Sequence, residues 1–527
     1  MPRAIALLLL PLLLRSTLAW AAHPEWEPLR GKPIREIRIF AREIFDPQRP
    51  DESHAIYSWA NALHIRTRES VIRRELLFRE GVPFEPLAAE ESERNLRSMG
   101  IFQDVLLQVA PVDNGVRVDV HTSDRWSTKL IASISKEGDI FRFRLGLENS
   151  NFLGRATQLG GSIVASNDVD AAEFSFSDPR LLGSRWFGGY RYGEDDLAIL
   201  NAARVGRPYY SELVSWTSDL EYRSVRGLRR IFVSGSILAD TLDVDETLGE
   251  AFLALHRHAL TRSRWGLLYS RRSVTRDVEE QQGSVAVTWA LLRRGFRQFH
   301  NVDRFGTNED VGAGWSLQLG AGADLRALGA DHDRPLWRLD ASWARFLGSS
   351  ALLALQLQHH GFAREGELEN SRILAESFGF WQSGRNHAFA WSLGGVAFIR
   401  EPDYLRFELG GDQRLRGYPA RHQAGTRAVW LNLEERLFTD LQLFFLRFGG
   451  ALFVDVAHAW EDEEGFDWRS FGVGGGIGLR IGNNKSGAGV TRIDFAFGRN
   501  SFEISLAGGS FFRVARGLTY PRPNLVR

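Results

Sequence analysis

Arginines and carboxylates are the side chains of this chain best placed to do chemistry. Its 65 basic residues are balanced by 65 acidic ones. The cations are almost all arginine, with lysine at Lys32, Lys129, Lys136 and Lys485. Arginine carries five donors in a rigid fork and is charged at every physiological pH, which suits pairing with carboxylates or lipid phosphates. A net charge of zero gives no general pull toward nucleic acid. Cysteine is absent, which removes disulfides, thiolate metal ligands and cysteine nucleophiles.

Catalytic constellations are not legible. The run Gly472 to Gly478, "GVGGGIG", has glycine spacing close to a dinucleotide fingerprint. It lies within a strand pattern, with no helix after it to hold a phosphate. His359 and His360 are neighbours on a strand, so they point to opposite faces and cannot hold one ion together. Neither a G-x-S-x-G elbow nor an H-E-x-x-H helix is present. Asp455 and Asp494 would serve a hydrolase only if partners converged on them. The expectation is a non-enzyme with no catalytic, cofactor-binding or metal residues and no cofactor.

The elements that must position these groups begin with a targeting segment. Arg3, the apolar run Ala4 to Leu14 and Ala19-Trp20-Ala21 read as a secretory signal peptide over residues 1–21. Beyond it no apolar window reaches the roughly 18 residues of a membrane helix. Residues 33–124 have mixed α/β character in the order β-α-α-β-β. Ile34, Ile37 and Ile39 open it, with Thr67 as a candidate cap for a helix containing Val71 and Ile72. Leu87 to Met99 reads as a second helix closed by Gly100, and Asn114-Gly115 as a hairpin turn. An insert from Asp46 to Arg66, containing "SWANALHIRT", adds a helical turn.

From Ser127 onward the period changes to two. Phe141, Phe143, Leu145 and Leu147 alternate with Arg142, Arg144, Gly146 and Glu148. Leu353, Leu355 and Leu357 alternate with Gln356 and Gln358. Charges on one face of nearly every strand would be costly in a packed core but natural around a wet lumen. Aromatics on the other face suit the girdles of a transmembrane barrel. The expected fold is a signal peptide, a small α+β domain and a transmembrane antiparallel β-barrel over 127–512. Sixteen strands would use roughly 24 residues per strand and turn, leaving 513–527 as a tail.

Two segments carry a family resemblance. "VIRRELLFREGVPFEPLAAEESERNLRSMGIFQDVLLQV" resembles a POTRA (polypeptide-transport-associated) domain, which binds client chains by strand addition at a sheet edge. "GGDQRLRGYP", Gly410 to Pro419, resembles the arginine-glycine-aromatic motif of the bacterial surface-antigen superfamily (BamA/TamA-like outer-membrane assembly factors). "RAVWLNLEERL", "ALFVDVAHAW", "SFGVGGGIGLRIG" and "VTRIDFAFG" are similar to that family's last strands, in order. The resemblance implies that Arg416 anchors a loop folded into the lumen, with Gly417 allowing the turn and Tyr418 packing on the wall. Alternation sets Val454 and Val456, and Leu431 and Leu433, toward lipid. Asp455 and Glu434 therefore point inward, and either could pair with Arg416.

The expected closing strand runs from Phe502 to Phe512, weakened at Gly508 and Gly509, and a poorly zipped seam leaves free edges. The implied function is outer-membrane protein assembly, insertion or translocation. Its partners would be unfolded outer-membrane or secreted clients, outer-membrane lipids and a possible periplasmic protein on the POTRA, with no nucleic acid. The implied location is the outer membrane, with the POTRA in the periplasm. A two-partner-type secretion pore and a passive porin are the alternatives; a single POTRA weighs against the former.

Overall fold

Period-two alternation decides the larger part of the structure. A computed structural model of the chain describes residues 23–514, apart from 47, 49–54, 138–139, 212, 235–236, 258–261, 276–279, 307, 402–404, 444–445, 484 and 486–489. The signal-peptide segment and the tail after Val514 lie outside the described residues.

The N-terminal unit places β1 (Ile34–Arg42), β2 (Phe102–Val112) and β3 (Gly115–Asp124) in a sheet of order β1-β3-β2. β3 is central, parallel to β1 and antiparallel to β2. Asn114, at φ 56°, turns the β2–β3 hairpin. Three helices cover this chain segment: α1 (Ala55–Leu63), α2 (Glu69–Glu75) and α3 (Pro86–Ser98). Val71, Ile72 and Leu96 pack on Ile34, Val116, Val118 and Val120 to form one apolar core. Gly100, at φ +71°, receives the end of α3, because left-handed backbone is cheap only without a Cβ. Thr67 does not cap α2. Arg68 occupies that position without a side-chain cap, and the Thr67 hydroxyl and backbone N–H both donate to Asp124. A buried carboxylate outcompetes helix capping for those donors.

The described residues of the larger unit form a closed barrel of twenty strands, from Thr128–Glu137 to Phe502–Gly508. The expected sixteen is corrected. Strands between Thr157 and Arg207 are only 8 to 10 residues long, close to the minimum for a tilted span, so each turn of the chain consumes less sequence than assumed. The adjoining wall is taller, with Trp216–Val233, paired directly to Ala198–Arg207, and Ile237–Arg257 running 18 and 21 residues. Leu253, Trp265, Leu267, Leu319 and Leu452 stand exposed on the outer face, the apolar band that a lipid-facing barrel requires. No described helix is long and apolar enough to cross a membrane.

Candidate functional site: an arginine lock inside the barrel

The chain between strands His387–Ile399 and Arg427–Leu443 folds back into the barrel rather than away from it. A short hairpin of Phe407–Leu409 with Gln423–Gly425 forms its stem, and Arg414 to Tyr418 form its tip. Leu415 is fully buried and Arg416 is 1% exposed.

All three guanidinium nitrogens of Arg416 donate to carboxylates. Nε and Nη2 grip Asp455 at 2.7 and 3.0 Å, and Nη1 reaches Glu434 at 2.7 Å. The Asp494 carboxylate stands 3.5 Å from Nη1, and the Arg416 backbone N–H donates to Asp455 at 3.1 Å. Above and below the guanidinium plane lie Phe453 and Phe511, at 3.5 and 4.0 Å to the ring centroids. Bidentate pairing holds the plane, and the two ring faces exclude water while attracting the cation.

The sequence left Glu434 and Asp455 as alternative partners; both are engaged. Alternation explains why. Along Arg427–Leu443, Asn432, Glu434 and Arg436 are buried while Leu437 is exposed, and along Leu446–Trp460 Asp455 is buried while Leu452 and Val454 are exposed. Asn432 and Asp455 are directly opposed across the strands, and the Asn432 amide donates to Asp455 and to the Arg414 carbonyl.

Glycines set how close the tip can come. Gly417 adopts φ +86°, and a Cβ there would lie 2.7 Å from the Phe497 carbonyl carbon. A Cβ on Gly474 would sit 2.0 Å from the Arg416 oxygen, and one on Gly472 would sit 2.6 Å from Leu415. The glycine run of this strand is thus a groove that admits the loop backbone. Tyr418 closes the arrangement: its hydroxyl donates to the Val473 carbonyl and accepts from the Val473 and Arg499 N–H groups.

Sequence reasoning missed the remainder of the network. Arg436 bonds Glu434 at 2.9 Å and Asp303 at 2.6 Å. Arg480 and Arg492 hold Asp494 at 2.5 and 2.7 Å. All of these groups are buried, so four buried arginines face four buried carboxylates, and partly exposed Asp412 adds a fifth carboxylate at 2.7 Å from Arg492. Asp303 arrives on the connection between Glu280–His300 and Asn308–Asp324. The same alternation that marked Glu434 inward would have marked Arg436, Arg480, Arg492 and Asp494. No local signal marks Asp303.

Phe512 is corrected from seam to lumen. The closing strand ends at Gly508, with Phe502 and Ile504 exposed on its outer face. Gly509, at φ +87°, then turns the chain inward. Phe511 covers Arg416, the Phe512 carbonyl accepts from Arg436 at 2.8 Å, and the Val514 N–H donates to Asp303. Two consecutive phenylalanines would send one ring to each face of a continued strand; folding inward shelters Phe512 among Phe299, Val302 and Phe380.

At the N-terminal end the mixed α/β unit grips the barrel rim at several points. Arg97 makes a bidentate pair with Asp310 at 2.7 and 3.1 Å, and Arg94 lies over Phe296. Arg180 and Arg185 pair with buried Glu75, and Ser211 bonds Glu91. Burial opposes the charged form of Glu93, yet the His23 hydrogen bond and the Arg97 charge hold its carboxyl below the ordinary range. Burial also pushes the Arg125 guanidinium down to about 10, with Arg304 adding to the effect.

No family model matches the chain and no curated protein matches it. Solved structures similar to it include BamA from Haemophilus ducreyi lacking POTRA domains 1–3 (14% identity, 91% of this chain and 84% of that chain, TM-score 0.34). CdiB from Acinetobacter baumannii (9% identity, 89% and 74%, TM-score 0.41) and CdiB from Escherichia coli (12%, 92% and 75%, TM-score 0.40) are similar as well. The lock is defined by this chain's own contacts.

Proposed function

We propose that the protein is an outer-membrane insertion or translocation factor that works without covalent chemistry. The barrel seam is the observation that carries this reading. The closing strand Phe502–Gly508 and its neighbour Thr491–Phe497 have seven residues each, against 18 and 21 on the tall wall, and the neighbour carries Arg492 and Asp494 of the lock. A short pairing contributes few ladder bonds and opens at low cost, offering strand edges to an incoming chain. Beside it the arginine lock braces the late wall, so opening stays local to the seam.

In this reading Ile34–Asp124 is a POTRA-type unit in the periplasm, and β1 beyond Ile37 is the sheet edge offered for strand addition by a client, the Ile34 and Ile37 N–H groups being taken by Val82 and Glu80. Clients are unfolded outer-membrane or secreted chains, and the surrounding ligand is outer-membrane lipid. A secretion route through the lumen is the second reading. Half-exposed polar residues such as Arg144 and Glu173 on the inner early wall favour it.

The test is a disulfide across the seam, between Phe502–Gly508 and Thr128–Glu137, in liposomes with a client barrel. Closing the seam is expected to abolish client insertion. A control disulfide from Leu220→Cys with Ala251→Cys, paired on the tall wall, leaves insertion intact. Insertion that survives the closed seam, together with large steady conductance in planar bilayers, overturns the insertion reading in favour of a pore.

A further inference from the structure

The insert between β1 and α2 builds a surface that the lock and the seam do not use. Helix α1 carries no charged residue. Trp59 and Leu63 are spaced i, i+4 on one face and are 64% and 56% exposed, and Ile65 just beyond the helix is 54% exposed. The opposite face is fixed. Tyr57 is buried with Ile44, Phe45 and Trp126, and the Asn61 side chain bonds both the N–H and the carbonyl of Phe45. His64 joins Asp124 at 2.9 Å.

The location of this insert is fixed by contacts on both sides of the seam. Lys485, in the connection before strand Thr491–Phe497, donates to the Ile44 carbonyl at 3.2 Å, and its own carbonyl accepts from Trp126. On the other side the Arg68 N–H donates to the Gly154 carbonyl. A Cβ on Gly154 would lie 2.5 Å from the Arg66 oxygen. Ile65 therefore stands near Phe152 and Leu153, which are themselves exposed, and Leu130 on the first barrel strand is 68% exposed. These contacts hold the insert at the barrel rim, where the lipid-facing band begins.

We propose that α1 is an interfacial foot: Trp59, Leu63 and Ile65 lie in the headgroup layer of the membrane leaflet beside the seam. This rests on the barrel spanning a membrane. An apolar helix face with tryptophan belongs at the boundary between acyl chains and headgroups. Exposed Arg66 and Arg68 follow the face, tied to Glu43 at 3.9 Å and to the Leu153 carbonyl at 3.1 Å, and their long stems place the charge at headgroup level. The foot ties the N-terminal unit to the bilayer at the place where the barrel is least firmly paired.

Absence of cysteine makes single-cysteine labelling of the full chain direct. Trp59→Cys, Leu130→Cys and Asp113→Cys are each labelled with a polarity-sensitive fluorophore and reconstituted in vesicles containing nitroxide lipids. Position 130 reports the barrel face, and position 113, in the exposed β2–β3 turn, reports water. The expected result is a blue-shifted emission at 59 and 130, quenched by shallow nitroxides, with 113 unshifted and unquenched. Quenching at 130 without quenching at 59 overturns the foot while leaving the membrane barrel intact, whether 59 is then in water, against a second copy or against a protein. Loss of quenching at 130 instead overturns the membrane reading itself. Should the Trp59→Cys chain fail to fold, the difference in brominated-lipid quenching between the unaltered protein and Trp59→Phe decides: no difference overturns the foot.

Discussion

Two walls of the barrel are written in the same code and end in different states. Early strands place Arg142, Arg144, Glu148 and Glu173 on the inner face; late strands place Glu434, Arg436, Asp455, Arg480, Arg492 and Asp494 there. On the early wall the pairs are wet. Arg144 and Glu173 meet at 2.5 Å with each side chain more than a third exposed, and Lys129 meets Glu148 at 3.0 Å with both about a quarter exposed. On the late wall the re-entrant loop and the Gly509–Val514 segment cover the charges until almost none touch solvent. Equal geometry therefore carries unequal energy. Exposed pairs are screened and contribute about 0–1 kcal/mol, whereas a shielded cluster punishes the loss of any one member.

The sharpest attempt to break this comparison is Arg416→Ala. It leaves buried Asp455 with the Asn432 amide and a backbone N–H but without its arginine, while Glu434 and Asp494 keep Arg436, Arg480 and Arg492. The barrel is expected to lose about 3–5 kcal/mol of stability, read from urea unfolding in detergent micelles. Native stability in this variant would put the late wall on the same footing as the early one. Next in size is Gly417→Val, where left-handed backbone and the contact with Phe497 together are expected to cost about 1–3 kcal/mol. Its signature is protease cleavage near the loop tip. Phe511→Ala removes one ring from the Arg416 sandwich and is expected to cost about 1–2 kcal/mol. The same variant should speed hydrogen exchange in Arg427–Leu443, because Arg416 loses its cover. The smallest effect is Arg144→Ala on the early wall, expected within about 1 kcal/mol and shrinking further as salt rises. A salt-independent loss as large as that of Arg416→Ala would erase the distinction between the walls.

Much of this was legible from particular residues. Alternation around Val454 and Leu433 set Asp455 and Glu434 inward without any knowledge of the loop. The Asn114-Gly115 turn and the Gly100 helix end were likewise local signals, because glycine and asparagine report backbone sign directly. Strand number was not legible, since turn length trades against strand length and short strands between Thr157 and Arg207 leave the period unchanged. The inward turn of Phe511-Phe512 was hidden for a similar reason. An aromatic pair after a strand looks the same whether it continues the strand or leaves it, and Gly509 permits both. Asp303 carried no signal at all, because its partner Arg436 is 133 positions away.

By itself the sequence determined which residues face the lumen and which face outward, because side-chain direction in a strand follows from position alone. It also determined that a mobile positive fork would be available in a glycine-flanked loop. Only the tertiary structure decided that Arg416 meets Asp455 and Glu434 at once, that Phe453 and Phe511 dry the site, and that Arg436 ties it to Asp303. Those outcomes depend on closure of the barrel, which brings distant strands and both re-entrant segments into one small volume. Burial is set there, and burial decides whether a charge pair matters.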